Sequence, residues 1–220
     1  MRKYGTCFFE RYAQISLETI LGQEFAGLEN KDRPDLQSPD GHTLGIEVTR
    51  AMEESKEAAT SLLKEISGIV PTEDEKADYS NIIQSGYSFG LQNGRFIGAR
   101  ELDYWTNALP MQRILESKIA KATGGFYGEY DKLGLYIFSL DNLTQMGVYK
   151  ICKFAMEQQV YAERGYDRIY LSEVSCLHVC NLSDGISDAA RIVTFDIPQE
   201  QRKEIYLQAL WEPFENIHNQ

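Results

Sequence analysis

The stretch RPDLQSPDGHTLGIEVTR, residues 33–50, decides how the rest of this sequence is interpreted. It begins with a short extended segment after Pro34, continues through a Pro-Asp-Gly turn at residues 39–41, and ends in apolar and β-branched residues. Pro, Asp and Gly favour turns, and β-branched residues favour strands. The stretch therefore predicts a β-hairpin in which Asp40 is a turn residue.

The predicted hairpin carries Asp35 on its first strand and Glu47 on its second. Pairing of the two strands would bring these carboxylates together. Two ionised carboxylates at close range repel each other unless a proton or a cation compensates, and Mg²⁺ prefers such oxygen ligands. The hairpin therefore indicates a metal site. The alternative is structural: Asp35 ends a strand, and Glu47 faces solvent in an alternating strand.

Apolar periodicity around the hairpin predicts one α/β domain over residues 1–220, with a mixed sheet flanked by helices. An insertion, helical or irregular, is expected at about residues 52–107, where the pattern weakens after a helix at 52–66. The other expected helices cover residues 12–28, 110–122, 148–164 and 198–210, and the other expected strands cover residues 133–140, 168–171 and 177–182.

The segment RPDLQSPDGHTLGIEVTRA, preceded by a helix bearing Glu18, resembles the PD-(D/E)xK motif of the restriction endonuclease-like superfamily. Residues 115–138 also resemble the helix and strand that follow the hairpin in uncharacterised branches of that superfamily. The resemblance implies a restriction endonuclease-like sheet and metal-dependent hydrolysis of phosphodiester bonds. It also implies that Asp35, Glu47 and the carbonyl of Val48 bind Mg²⁺ or Mn²⁺, and that Glu18 is the helical glutamate.

The sequence departs from the motif at its basic position, where Glu-x-Thr replaces Glu-x-Lys and Thr49 stands in place of lysine. A threonine hydroxyl can hydrogen-bond a water molecule, but it supplies no positive charge to a phosphate. Lys118 or Lys121 could supply that charge from a helix, since the two residues lie three apart on one helix face. Arg50 is a weaker candidate, because its side chain should point to the opposite side of the strand from Thr49.

Three functional interpretations follow. The first is a metal-dependent nuclease that acts on DNA or RNA, and the second is a catalytically inactive nuclease-fold protein that serves as a binding or assembly module, with a homodimer as one form. The third is an unrelated acidic α/β protein. The net charge of −11 opposes loose binding of polyphosphate, unless basic groups gather on one face.

No apolar run of signal-peptide or membrane-spanning length is evident, so a cytoplasmic protein is expected. Its four cysteines should then remain thiols. The alternation of Cys176, His178 and Cys180 fits either a metal site or a half-buried strand. The strand interpretation is preferred, because no second pair of ligands follows at zinc spacing.

Overall fold

The structure is a computed structural model that describes residues 8–50, 91–92, 95–96, 109–139, 143–173, 175–183 and 191–210. Its main sheet has seven strands in the order β1-β2-β3-β6-β7-β8-β9, and β4 pairs with β5 separately. The strands are β1 (Glu29–Asn30), β2 (Leu36–Gln37), β3 (Leu44–Arg50), β4 (Leu91–Gln92), β5 (Arg95–Phe96), β6 (Lys132–Phe138), β7 (Arg168–Ser172), β8 (Cys176–Asn181) and β9 (Arg191–Asp196). The described helices are α1 (Phe8–Leu21), α2 (Leu109–Thr123), α3 (Gln145–Gln159) and α4 (Gln199–Leu210), with a 3₁₀ turn at Gln23–Phe25.

The main sheet is mixed. Strands β3, β6 and β7 are parallel at its centre, while β1 and β2 on one side and β8 and β9 on the other pair antiparallel. Parallel strands need long crossover connections, and α3 supplies one of them between β6 and β7. The structure thus confirms the expected α/β class with a mixed sheet flanked by helices.

Each face of the sheet is covered by two helices. Because side chains alternate along a strand, the central strands contribute apolar residues to both faces. One core contains α1, α4 and the strand residues Ile46, Tyr136, Phe138, Tyr170 and Leu177. The other contains α2, α3 and the strand residues Leu133, Leu135, Ile137, Ile169, Leu171 and Cys180. The sheet is therefore buried on both sides, and polar residues among these strands stand out.

Several predicted elements are confirmed, and others are wrong. The hairpin at residues 33–50 and the tail helix are present, but the first helix covers Phe8–Leu21 rather than residues 12–28. That helix ends because Gly22 adopts a φ of 88° and breaks the helical path. Strand β9 was not predicted. The expected helix at 52–66 and most of the insertion at 52–107 lie outside the described residues, which include only β4 and β5 there.

The structure bears on the expectations about cysteines and membranes. Cys152 of α3 and Cys180 of β8 form a disulfide, so the expectation of four thiols is wrong for this pair. The two residues meet because α3 packs on the sheet face that carries Cys180. Among the helices of the described ranges, none has both the length and the apolar character needed to cross a bilayer.

Close packing at Gly134 in β6 gives a test of the sheet. A Cβ atom at this position would lie 2.8 Å from Cε2 of Tyr170 and 3.4 Å from Cγ1 of Ile46. We expect Gly134→Ala to lower the free energy of unfolding by about 1–3 kcal/mol through overpacking. The matched control is Gly147→Ala in α3, which should stabilise the protein slightly because alanine favours helix. Urea unfolding of both variants measures the difference, and an equal stability would contradict this packing.

Candidate active site

The register of the β2–β3 pair brings Asp35 and Glu47 together. Leu36 pairs with Ile46 and Gln37 with Gly45 in an antiparallel ladder. Continuing this register by one residue places Asp35 directly opposite Glu47, on the same side of the sheet. The carboxylate of Asp35 also accepts a hydrogen bond of 2.7 Å from the backbone N–H of Val48. The predicted pairing of the two acids is therefore present.

Backbone contacts hold Asp35 in this position. Its carbonyl accepts hydrogen bonds from the N–H of Lys31 at 2.9 Å and from the side-chain amide of Asn30 at 3.2 Å. The neighbouring Pro34 packs against Gly45, where a Cβ atom would lie only 2.7 Å from Cγ of the proline. Glycine at residue 45 thus makes room for the chain segment that delivers Asp35 to the site.

Negative charge accumulates at the pair. Burial and, next in size, the charge of Glu47 raise the pKa of Asp35 to about 7, although the hydrogen bond from Val48 opposes the shift. The charge of Glu10 adds to the increase, and Lys118 opposes it. Asp35 therefore keeps its proton to higher pH than an ordinary aspartate, and a bound cation would replace that proton.

The raised pKa of Asp35 also makes stability depend on pH. Its folded pKa of about 7 exceeds the value of 3.8 for an aspartate in water, so the folded state binds more protons between these pH values. The contribution of Asp35 to stability is therefore complete below the unfolded pKa and is lost as the pH rises through the folded pKa. A divalent cation at the site would offset that loss.

Lys118 of α2 supplies the positive charge that Thr49 lacks. Its Nζ lies 2.5 Å from Oε1 of Glu47, and the two side chains are only 18% and 10% exposed. Leu115 and Ile119 anchor α2 on the sheet, and this packing directs Lys118 toward β3. Thr49 occupies the motif position two residues after Glu47 and shares its side of the strand. The structure thus brings Lys118 to the acids, as one of the two predicted alternatives.

Lys121, the other alternative, does not pair with Glu47 but lies over the ring of Phe126, with Nζ 5.2 Å from the centroid. The guanidinium of Arg33 lies 5.0 Å from the same ring. We call the group of Arg33, Lys121 and Phe126 the basic rim. Arg33 lies two residues before Asp35 in the sequence, and Lys121 lies three residues after Lys118. Arg50 packs over Phe9 of α1, which confirms that it points away from Thr49.

Tyr127 is a residue of this site that the sequence did not reveal. Its side chain is 3% exposed, and its hydroxyl makes no hydrogen bond of normal geometry to a described residue, although Tyr166 and Glu47 lie close enough to act on it as weak partners. Burial raises the pKa of Tyr127, and the nearby charges of Glu47 and Asp35 add to the increase, while Tyr166 opposes it. Buried hydroxyls are usually hydrogen-bonded, so this hydroxyl is available to a water molecule or ligand beside Glu47.

The helical glutamate near Asp35 is Glu10, not the predicted Glu18. Glu10 accepts a hydrogen bond of 2.7 Å from Asn30, the residue that also contacts the carbonyl of Asp35. Glu18 is exposed and lies eight residues further along α1, which is about 12 Å along a helix axis. The sequence analysis missed Glu10 because it began the helix at residue 12.

The donor set fits a hard cation. Within the described ranges, no third carboxylate, His or Cys joins Asp35 and Glu47 at ligand spacing. The remaining positions would fall to water and to a backbone carbonyl, for which Val48 stays the predicted donor. Mg²⁺ commonly binds through one or two carboxylates and keeps several waters. Two adjacent carboxylates with a proton to displace are therefore suited to Mg²⁺ or Mn²⁺.

Comparison with known proteins finds no matching family model, no matching curated protein and no matching solved structure. The geometry of the site itself is therefore the basis for inferring its function.

The influence of Glu47 on Asp35 can be measured directly. Glu47→Gln keeps the size of the side chain but removes its charge, so we expect the pKa of Asp35 to fall from about 7 toward its ordinary value. Carboxyl ¹³C NMR titration of Asp35 reports this pKa. Glu24→Gln, which alters an ion pair of Glu24 with Lys132 and Arg168, is the control and should leave it unchanged. An identical pKa in wild type and Glu47→Gln would refute the proximity of the two acids.

Lys118 and Lys121 form a matched pair for stability measurements. Lys118→Met leaves Glu47 buried without its ion-pair partner, and we expect a loss of about 1–3 kcal/mol, less than for a fully enclosed pair. Lys121→Met should change stability by about 0.5 kcal/mol, because Lys121 is exposed. Guanidinium chloride unfolding at pH 7 compares the variants. Equal losses would mean that the Glu47 contact adds nothing to the fold.

Proposed function

We propose that this chain is a metal-dependent nuclease that hydrolyses phosphodiester bonds, and that its mixed sheet is restriction endonuclease-like. One observation carries the proposal: Lys118 of α2 contacts Glu47 beside Asp35. A neighbouring helix thus supplies the lysine that the motif places at residue 49, where this chain has threonine. Two acids and one lysine then stand together, as the PD-(D/E)xK resemblance requires.

Each residue has a definite task in this proposal. Asp35 and Glu47 would hold Mg²⁺ or Mn²⁺, with the carbonyl of Val48 as a further donor. When bound, the ion would stabilise charge on the phosphodiester and acidify a water molecule. Lys118 would turn from Glu47 toward the phosphate, since a cation relieves the charge that now holds the lysine. Tyr127 would accept or donate a hydrogen bond to water at the site.

The basic rim supports DNA or RNA as the substrate. Arg33 and Lys121 both lie over the exposed ring of Phe126, and they belong to the segments that carry Asp35 and Lys118. Local potential rather than net charge governs docking, so such a rim can attract a phosphate backbone to a chain of net charge −11. The aromatic ring offers a surface for stacking of an unpaired base.

A specific observation favours a second function. The Glu47–Lys118 ion pair neutralises one acid without any metal. In a catalytically inactive nuclease-fold protein this pair would be structural, and the basic rim would serve a binding or assembly role. The two functions differ in whether the chain cleaves nucleic acid when divalent cations are present.

A cleavage assay tests the nuclease proposal. Labelled single- and double-stranded DNA and RNA are incubated with the protein in Mg²⁺ or Mn²⁺ and, separately, in EDTA. We expect divalent-dependent cleavage that falls by about 100-fold or more in Asp35→Asn, Glu47→Gln and Lys118→Met, because each removes a charge that acts on the reacting groups. Glu24→Gln, purified identically, should retain full activity.

Three outcomes discriminate between the functions. Equal cleavage by wild type and Glu47→Gln would indicate a contaminating nuclease and would remove the support for catalysis. A rise in melting temperature with Mg²⁺ but no cleavage of any substrate would assign the chain to an inactive, metal-binding module. Neither cleavage nor metal-dependent stabilisation would refute the metal site as well.

A further inference from the structure

A second group of ligand-type side chains lies at the turn between β7 and β8. Glu173 follows the end of β7, while Cys176 and His178 alternate on β8 and face the same side of the sheet. All three residues are buried, with exposed fractions of 6%, 9% and 6%. Nε2 of His178 lies 3.4 Å from Sγ of Cys176 and 2.9 Å from Oε1 of Glu173, and Sγ lies 3.6 Å from Oε2.

These separations are close to the edges of a tetrahedral zinc site. Zn–S bonds of about 2.3 Å and Zn–N or Zn–O bonds of about 2.0–2.1 Å place neighbouring ligand atoms about 3.3–3.6 Å apart. The 3.4 Å between Sγ of Cys176 and Nε2 of His178 falls in this range. Glu173 contacts the thiol through Oε2 and the imidazole through Oε1, so its carboxylate would rotate to present one oxygen to the ion. A thiolate, an imidazole and a carboxylate are also the three ligand types that zinc accepts.

The surrounding contacts orient the ligand atoms. Nδ1 of His178 lies 2.8 Å from Oγ1 of Thr194 on β9, so an Nδ1–H donated to the hydroxyl leaves the Nε2 lone pair pointing at Cys176 and Glu173. The N–H of Leu143 donates to Oε1 of Glu173 at 2.8 Å. Such outer contacts fix the tautomer and rotamer of metal ligands in proteins.

The tautomer of His178 decides whether the group needs a cation. With the proton on Nδ1, Nε2 of His178 and Oε1 of Glu173 are both acceptors at 2.9 Å, and a metal ion between them makes the contact favourable. With the proton on Nε2, the imidazole donates to Oε1 of Glu173 and accepts from the hydroxyl of Thr194, and this hydrogen-bonded arrangement, or a buried ion pair with a doubly protonated His178, is the structural alternative. The convergence of a thiol, an imidazole nitrogen and a carboxylate at ligand spacing favours the metal, because without it the thiol makes only a weak hydrogen bond to Oε2 of Glu173.

We propose that Cys176, His178 and Glu173 bind Zn²⁺, with a water molecule in the fourth position. The ion would join the end of β7 to strand β8. It would also be linked to the segment before α3, because the N–H of Leu143 donates to the ligand Glu173. This site is distinct from the Asp35–Glu47 pair, since β8 lies three strands from β3 in the sheet, about 14 Å at the usual strand spacing. The inference does not rest on the proposed nuclease function.

Zinc stoichiometry and affinity test the inference. The full chain is purified without thiol reductants, so that the Cys152–Cys180 disulfide offers no competing thiolates, and is then loaded with zinc and dialysed. We expect one zinc ion per chain by elemental analysis. Competition with a chromophoric chelator should show affinity weakened at least tenfold in Cys176→Ser, His178→Ala and Glu173→Gln, and about 10- to 100-fold in Thr194→Val. His42→Ala, which alters an exposed histidine, and Glu24→Gln, which alters an exposed ion pair, should bind zinc like the wild type.

Cobalt substitution of the wild-type protein provides a readout that does not depend on a buried variant folding. Co²⁺ bound by Cys176 should give a thiolate-to-cobalt charge-transfer band in the near ultraviolet, and Zn²⁺ should displace it. Absence of the band together with no stoichiometric zinc would overturn the proposal and identify Glu173–His178 as a structural ion pair. Zinc binding that is unchanged in Cys176→Ser and His178→Ala, with folding checked by circular dichroism, would also overturn it.

Discussion

The antiparallel register between β2 and β3 is the constraint on which the candidate active site depends. Because the side-chain period of a strand is two, a slip of one residue would move Glu47 to the opposite face of the sheet from Asp35. Three contacts fix the register. Pro34 packs against Gly45, which has no side chain, and the N–H of Val48 donates to the carboxylate of Asp35. In the turn, the N–H of Thr43 donates to the carboxylate of Asp40. The apolar core beneath Leu36 and Ile46 then makes any slip costly.

Once the register is set, electrostatics decides what else must be present. Glu47 is nearly buried, and a charge in that position needs a partner. A lysine in place of Thr49 would extend from β3 itself, whereas Lys118 approaches from a helix that packs over the acids. The positive charge therefore belongs to the tertiary structure rather than to the motif. The effect of Lys118 on the pKa of Asp35 is smaller than the effects of burial and of Glu47, so the lysine does not fully balance the charge of the pair.

Local signals in the sequence were sufficient for the hairpin, the central strands and the pair Asp35 and Glu47. Turn residues and apolar periodicity encode these elements within a few residues of each other. Glu10 and Tyr127 were missed, because their roles arise from packing between segments distant in the chain. Strand β9 was missed for a related reason, since an edge strand has weak apolar periodicity. Lys118 was predicted only as one of two helical lysines, and side-chain direction on α2 separates it from Lys121.

Side-chain contacts are likewise not visible in the alternation of Cys176 and His178, which therefore favoured an ordinary half-buried strand. Cys176 and His178 lie two residues apart on β8, a spacing found in any half-buried strand. Cys180, two residues further on, forms a disulfide. The third ligand type comes from Glu173, which lies only three residues before Cys176 but meets it because the chain turns between β7 and β8. The two proposed metal sites differ in the chemical hardness of their ligands. An all-oxygen pair favours a hard ion such as Mg²⁺, whereas a thiolate and an imidazole favour zinc, so the two ions need not compete.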